Sequence, residues 1–173
     1  MPQPKLNVLF VCLGNICRSP MAEGIFVHLV KEAGLHHVIA CDSAGTSDYH
    51  IGELPDPRMR QTARRHGLSL THRARQLRGA DFGAFDYILA MDESNWDDIT
   101  RHPGYRPEHA PKVSFLRMHD DDTRDLNVPD PYYGGPEGFE QVYQLLHRTG
   151  VRFLQFLVEK HHLQPQPVQK PTP

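Results

Sequence analysis

Residues 6–21 read Leu6-Asn7-Val8-Leu9-Phe10-Val11-Cys12-Leu13-Gly14-Asn15-Ile16-Cys17-Arg18-Ser19-Pro20-Met21. Leu6 to Val11 is an apolar run of the kind that a parallel sheet buries on both faces. From Arg18 to Ala33 the apolar residues Met21, Ala22, Ile25, Leu29 and Ala33 recur at helical spacing. A strand, a short turn and a helix in line make the opening of a β-α-β unit.

The pattern continues outward from there. Val38 to Cys41 reads as a second strand, and Asp56 to His66 as a helix starting near Pro57 with Gly67 beyond its end. Tyr87 to Met91 is a third strand, followed by Asp92 placed to cap a helix over Glu93–Arg101. Val113 to Leu116 is a fourth strand. A long loop covers about Arg117 to Gly135, and a last helix runs from near Pro136 to about His161. The expected fold is α/β: a four-stranded parallel sheet with helices on both faces, doubly wound, with right-handed crossovers. Residues 1–162 form one domain, without internal repeats. Residues 163–173, with four prolines and few apolar side chains, are expected to be a disordered tail.

Composition narrows the function classes. The 173 residues are 39% hydrophobic and 23% charged, with a formal net charge of -2. No global basic field points to nucleic acid or an anionic membrane surface, so any anion site must be local. No apolar run approaches the ~20 residues of a spanning helix. The N-terminus is too short and polar for a signal peptide, and the cytoplasm is the expected location. The three cysteines, Cys12, Cys17 and Cys41, are too few and too odd in number for a secreted disulfide framework or a structural zinc site. The twelve histidines include two adjacent pairs, His36-His37 and His161-His162, neither with the i, i+4 spacing of a zinc motif. Asp120 to Asp122 reads as a solvated acidic loop. No metal and no cofactor is expected.

The chemistry gathers in the turn after the first strand. Doubly wound folds place anion sites there, where successive backbone N–H groups converge ahead of a helix. The turn lacks the Gly-Lys-Ser/Thr ending of a nucleotide-binding loop. It has instead Cys12 at its entrance and Arg18 at its exit, with five residues between them. N–H donors at a helix N-terminus suit a thiolate, the nucleophilic form of cysteine. Arg18 offers a planar fork matched to two phosphate oxygens. Backbone donors from Leu13 to Cys17 would hold the equatorial oxygens of a transition state. Ser19 can donate to the Cys12 sulfur as it leaves. Gly14 and Asn15 are residue types that tolerate left-handed backbone angles. Downstream, Asp130 stands between Pro129 and Pro131, and Pro131 biases it toward extended angles that fix where its carboxyl points.

These residues resemble the low-molecular-weight protein tyrosine phosphatase family. The likeness runs through Val8–Glu23, Ser43–Thr46, His72–Gln76, Ala90–Asn95 and Asp130–Gly134, five blocks in order between about Leu6 and Leu157. The resemblance implies a flavodoxin-like fold and metal-independent hydrolysis of protein phosphotyrosine. Cys12 would become a phosphocysteine, and Asp130 would act as general acid and then base. It implies that Ser43 and His72 hold Asn15 in a strained conformation. Tyr132 and Tyr133 would form one wall of an apolar slot, with Leu13, Ile16 and Tyr49 as the other. Relatives acting on phosphoarginine carry threonine where this chain has Ile16, so Ile16 fits the tyrosine-directed branch. Cys17 is placed to form a reversible disulfide with Cys12. The implied partner is a phosphotyrosine protein, a tyrosine kinase among the candidates, met by a monomer.

Two other readings compete. A thioredoxin-linked arsenate reductase would need a relay of distant cysteines, and only Cys41 lies outside the loop. A phosphotyrosine-binding module without chemistry would not need Cys12, Arg18 and Asp130 together.

Overall fold

The computed structural model describes residues 5–166. In chain order the elements are β1 (Leu6–Cys12), α1 (Arg18–Glu32), β2 (Ile39–Gly45), α2 (Pro57–Arg65), α3 (Asp81–Ala84), β3 (Tyr87–Ala90), α4 (Glu93–Thr100), β4 (Val113–Phe115) and α5 (Pro136–Lys160). Two 3-10 turns, Pro107–Lys112 and Leu116–His119, flank β4. All strand pairs are parallel, in the order β2-β1-β3-β4.

The β1 sequence explains its central place. Successive side chains of a strand point to opposite faces. Val8, Phe10 and Cys12 enter a core shared with Ile25, Phe26, Phe139 and Phe153 from α1 and α5. Leu9 and Val11 enter a second core with Phe82, Ile88 and Ile99 on the other face. A strand buried on both sides has no room for alternating polarity, which is why its sequence is apolar almost throughout. Helices cover both faces, as the β-α alternation requires.

From β1 the chain goes to β2 on one side, then crosses back to β3 on the other. The crevice at the carboxyl ends of β1 and β3 is therefore a topological switch point, where ligands of such sheets bind. Cys12 ends β1 and Asp92 follows β3 by two residues, so both face this crevice.

Several boundaries differ from those expected. β2 continues past Cys41 to Gly45, because Ser43 and Ala44 pair with Phe10 and Val11. The polar Asp42 and Ser43 hide the strand in the sequence. The single turn α3 carries no periodic signal of its own, and the last strand stops at Phe115 where a 3-10 turn begins. Leu163 packs against the core, and Gln166 N donates to the Ala33 carbonyl at the end of α1 at 2.8 Å. The rest of the proline-rich tail, 167–173, lies outside the described residues. Among the described residues no helix is long and apolar enough to cross a membrane.

Candidate active site

The turn from Cys12 to Arg18 wraps the amino end of α1. Cys12 Sγ accepts from the Asn15 backbone N–H at 3.3 Å and lies 3.0 Å from Ser19 Oγ. Asn15 takes φ 57, the left-handed region that costs most side chains energy. Gly14 is not at positive φ, against expectation. Its missing Cβ serves space instead: one placed there would stand 3.0 Å from the His50 ring.

Four side-chain hydrogen bonds hold the strained Asn15. Nδ2 donates to Ser19 Oγ at 2.8 Å and to Ser43 Oγ at 3.0 Å. Oδ1 accepts from Arg75 N at 3.0 Å and from His72 Nε2 at 2.9 Å. The Arg75 backbone is an unambiguous donor, so it fixes which end of the amide is oxygen. His72 Nε2 must then carry hydrogen. Its Nδ1 lies 3.4 Å from both Glu23 Oε1 and Asp42 Oδ1. A neutral ring donates on one side only, so a hydrogen on Nε2 leaves Nδ1 turned toward these carboxylates, and Glu23 Oε1 itself accepts from Ser43 Oγ at 2.6 Å. Burial disfavours charge on both partners: it raises the Glu23 carboxyl to about 7 and lowers His72. Donor atoms of Glu23, Asp42 and His72 all lie within 4.8 Å of one another, the spacing a metal ion uses. The Arg75 guanidinium, 3.1 Å from Asp42, already supplies a positive charge there, and the cluster reads as support for Asn15.

Arg18 is 3% exposed and reaches out of α1 toward the crevice. Its Nη1 donates to Asp92 Oδ2 at 2.6 Å and to the Val128 carbonyl at 3.0 Å, and Nη2 lies 3.5 Å from Asp130 Oδ2. Burial works against the Arg18 charge, and Cys12, Asp92 and Asp130 more than offset it. Asp92 does two things at once: Oδ1 caps α4 by accepting from Asn95 N at 2.7 Å, and Oδ2 orients Arg18. Only the capping was evident from sequence. Asp130 Oδ1 accepts from Tyr132 N at 3.0 Å, a local turn that sets the carboxyl direction.

A pocket of ≈ 280 Å³ stands above the turn, with Cys12 and Arg18 at its floor and Asp130 at its side. Leu13, Ile16, Tyr49, Tyr132 and Tyr133 line it, as does His50, which no sequence pattern singles out. His50 pairs with Glu53 at 2.7 Å and faces Tyr132 across the pocket, ring centroids 6.3 Å apart. Tyr132 is braced by Arg58, which donates to its carbonyl at 3.0 Å and stacks over its ring. Arg58 is in turn paired with Asp56, whose N–H donates to the Ile16 carbonyl at 2.8 Å, so one pocket wall and the floor are joined. Tyr49 and Tyr133 are 71% and 93% exposed, so they shape the rim more than the wall. All three cysteines are free, and burial pushes the Cys17 and Cys41 thiols up.

A buried sulfur that accepts from a backbone N–H at the amino end of a helix, beside a guanidinium at a switch-point turn, fits a phosphatase that works through cysteine. The family model for low molecular weight phosphotyrosine protein phosphatases matches residues 7–163. The human low molecular weight phosphotyrosine protein phosphatase is 44% identical over 160 residues, covering 92% of this chain and 98% of its own length. Among solved structures, a protein tyrosine phosphatase of Entamoeba histolytica superposes with TM-score 0.84 at 35% identity, covering 92% of this chain and 100% of that one. A Drosophila arginine phosphatase superposes with TM-score 0.80 at 38% identity, covering 86% and 96%. This chain belongs to the low molecular weight phosphotyrosine protein phosphatase family.

Proposed function

We propose that this chain hydrolyses protein phosphotyrosine in two displacements at phosphorus, with Cys12, Arg18 and Asp130 as its catalytic residues. In the first, the Cys12 thiolate attacks phosphorus, and the S–P bond forms as the P–O bond to tyrosine breaks. Asp130 gives its proton to the departing phenolate. Arg18 and the N–H groups of the turn hold the equatorial oxygens as charge shifts onto them. In the second, water attacks the phosphocysteine, and Asp130 takes its proton. The S–P bond breaks, Ser19 donates to the leaving sulfur, and inorganic phosphate is released.

The observation that carries this reading is the pocket itself, with Cys12 at its floor, Asp130 at its side and aromatic rings at its mouth. The aromatic rim suits a phenyl ester, which would pack its ring there while its phosphorus meets the sulfur; a serine phosphate brings no ring to that rim. Ile16, 7% exposed and lining the pocket, favours an aryl over a guanidinium leaving group. One chain completes the pocket, which fits a monomer as the working unit. An unprotected catalytic thiol fits the reducing cytoplasm, and the proposed partner is a phosphotyrosine protein, tyrosine kinases included.

The test is turnover, without added metal, of phosphotyrosine, phosphoserine and phosphoarginine peptides. The expected result is release of phosphate from phosphotyrosine alone, lost in Cys12→Ser while vanadate still binds. Preferential release from phosphoarginine, or turnover surviving in Cys12→Ser, overturns the reading.

A further inference from the structure

The loop that carries Asp130 is tied together near its ends by one buried arginine. Arg117, in the 3-10 turn after β4, is 7% exposed. Its Nη1 donates to the Asn127 carbonyl at 2.6 Å, and its Nη2 to Asp120 Oδ2 at 3.3 Å. The Asp120 side chain is wholly buried, and Arg148 of α5 grips both its oxygens at 2.8 Å. One end of the loop is thereby fixed to α5. Arg117 carries that fixity along the chain to Asn127.

Beyond Asn127 the chain enters the site itself. Val128 N donates to the Met91 carbonyl at 2.6 Å, Val128 O accepts from Arg18 at 3.0 Å, and Asp130 stands two residues further on. The intervening stretch is mostly exposed. Asp121 meets Arg152 of α5 at 2.9 Å and Asn127 Oδ1 accepts from Glu93 N at 3.0 Å, while Asp122 and Asp125 bond to near neighbours, so Arg117 is the one buried side chain that joins Asp120 to Asn127 among the described residues. A buried guanidinium is costly unless its charge is met, and Asp120 with Asp125, 3.5 Å away, meets it. Its fixed planar fork meets the two acceptors from two separate nitrogens, a geometry that a compact ammonium on a flexible stem does not reproduce.

We infer that Arg117 is a positioning residue for the general acid: by bridging Asp120 and Asn127 it sets where Asp130 stands over the phosphate loop. The inference rests on the reading of Asp130 given above. Small errors in placement are expensive, a displacement of about 1 Å costing on the order of 10²-fold in rate.

The experiment compares kcat/KM for a phosphotyrosine peptide and for p-nitrophenyl phosphate, whose leaving group needs little protonation. Arg117→Met removes both bonds and keeps most of the stem. It is expected to lose about 10- to 100-fold on the peptide and less than about threefold on the activated ester. Placed on Asp130→Asn, it is expected to cause less than about a twofold further loss, because the group it positions is already gone. A merely structural role would lower both substrates by the same factor and would multiply with Asp130→Asn; either result overturns the inference. Arg117→Lys, which keeps the charge and loses the fork, takes the same comparison should Arg117→Met fail to fold, with an intermediate loss expected. Asp130→Asn by itself separates the two claims. If it loses equally on both substrates, the reading of Asp130 falls and this inference with it. If it discriminates and the Arg117 variants do not, the inference alone falls.

Discussion

Ser19 Oγ lies 3.0 Å from Cys12 Sγ while accepting a hydrogen bond from Asn15 Nδ2 at 2.8 Å. The Asn15 amide occupies the Ser19 oxygen as a donor, so the Ser19 hydrogen is left for an acceptor. The Ala44 carbonyl is the alternative at 3.5 Å, and the sulfur is nearer. The hydroxyl is thus aimed where a thiolate would develop as the phosphocysteine breaks down.

Ser19→Ala is therefore expected to slow the second displacement by about 10²-fold and to spare the first. Stopped-flow mixing with p-nitrophenyl phosphate then gives a burst of nitrophenol stoichiometric with enzyme, followed by slow turnover. A fall in rate without a burst would place the effect in the first displacement.

Asn15 combines a left-handed backbone with four side-chain hydrogen bonds, and two substitutions separate these. Asn15→Gly keeps the angle and loses the bonds, whereas Asn15→Ala loses the bonds and strains the backbone. The alanine variant should be less stable than the glycine variant by about 1 kcal/mol. Both should lose activity, since neither holds the turn to Ser43 and His72. Urea unfolding of the two variants checks the order; glycine below alanine would mean that backbone freedom, not strain, dominates here.

Glu23 makes stability depend on pH in a definite direction. Its carboxyl is raised from 4.5 to about 7 by burial, so over that range the folded chain keeps a proton that the unfolded chain has released. The contribution is full below about 4.5, declines as pH rises to about 7, and is gone above, a change on the order of 3 kcal/mol. Glu23→Gln mimics the protonated form and should abolish this decline. Unfolding free energies of both proteins across this range test it, and parallel curves would refute the assignment.

The fold was legible because β1 and α1 carry strong, opposite periodicities beside a turn of known chemistry. Cys12, Arg18 and Ser19 lie within eight residues, and the pocket gathers the first two with the sulfur in reach of the third. Local signals also marked Asp130, between two prolines, and Asp92 as a helix cap. What stayed hidden depends on residues far apart in the chain. Arg18 meets Asp92 and Val128 across 74 and 110 positions, and no pattern near either end announces it. His50 joins the pocket because Gly14 leaves space for its ring, a steric fact invisible until the turn is built. The second half of β2 escaped because Asp42 and Ser43 are polar for the sake of Arg75 and Asn15, which they meet from the strand.

The central claim is that phosphate passes through the Cys12 sulfur. Acid-quench mass spectrometry of Ser19→Ala during turnover of a phosphotyrosine peptide tests it directly, with digestion at low pH to preserve a thiophosphate. One phosphoryl group on Cys12, absent from Cys12→Ser, is the predicted result. A phosphoryl group found on His72 or Asp130, or full turnover with no phosphorylated enzyme trapped, would contradict it.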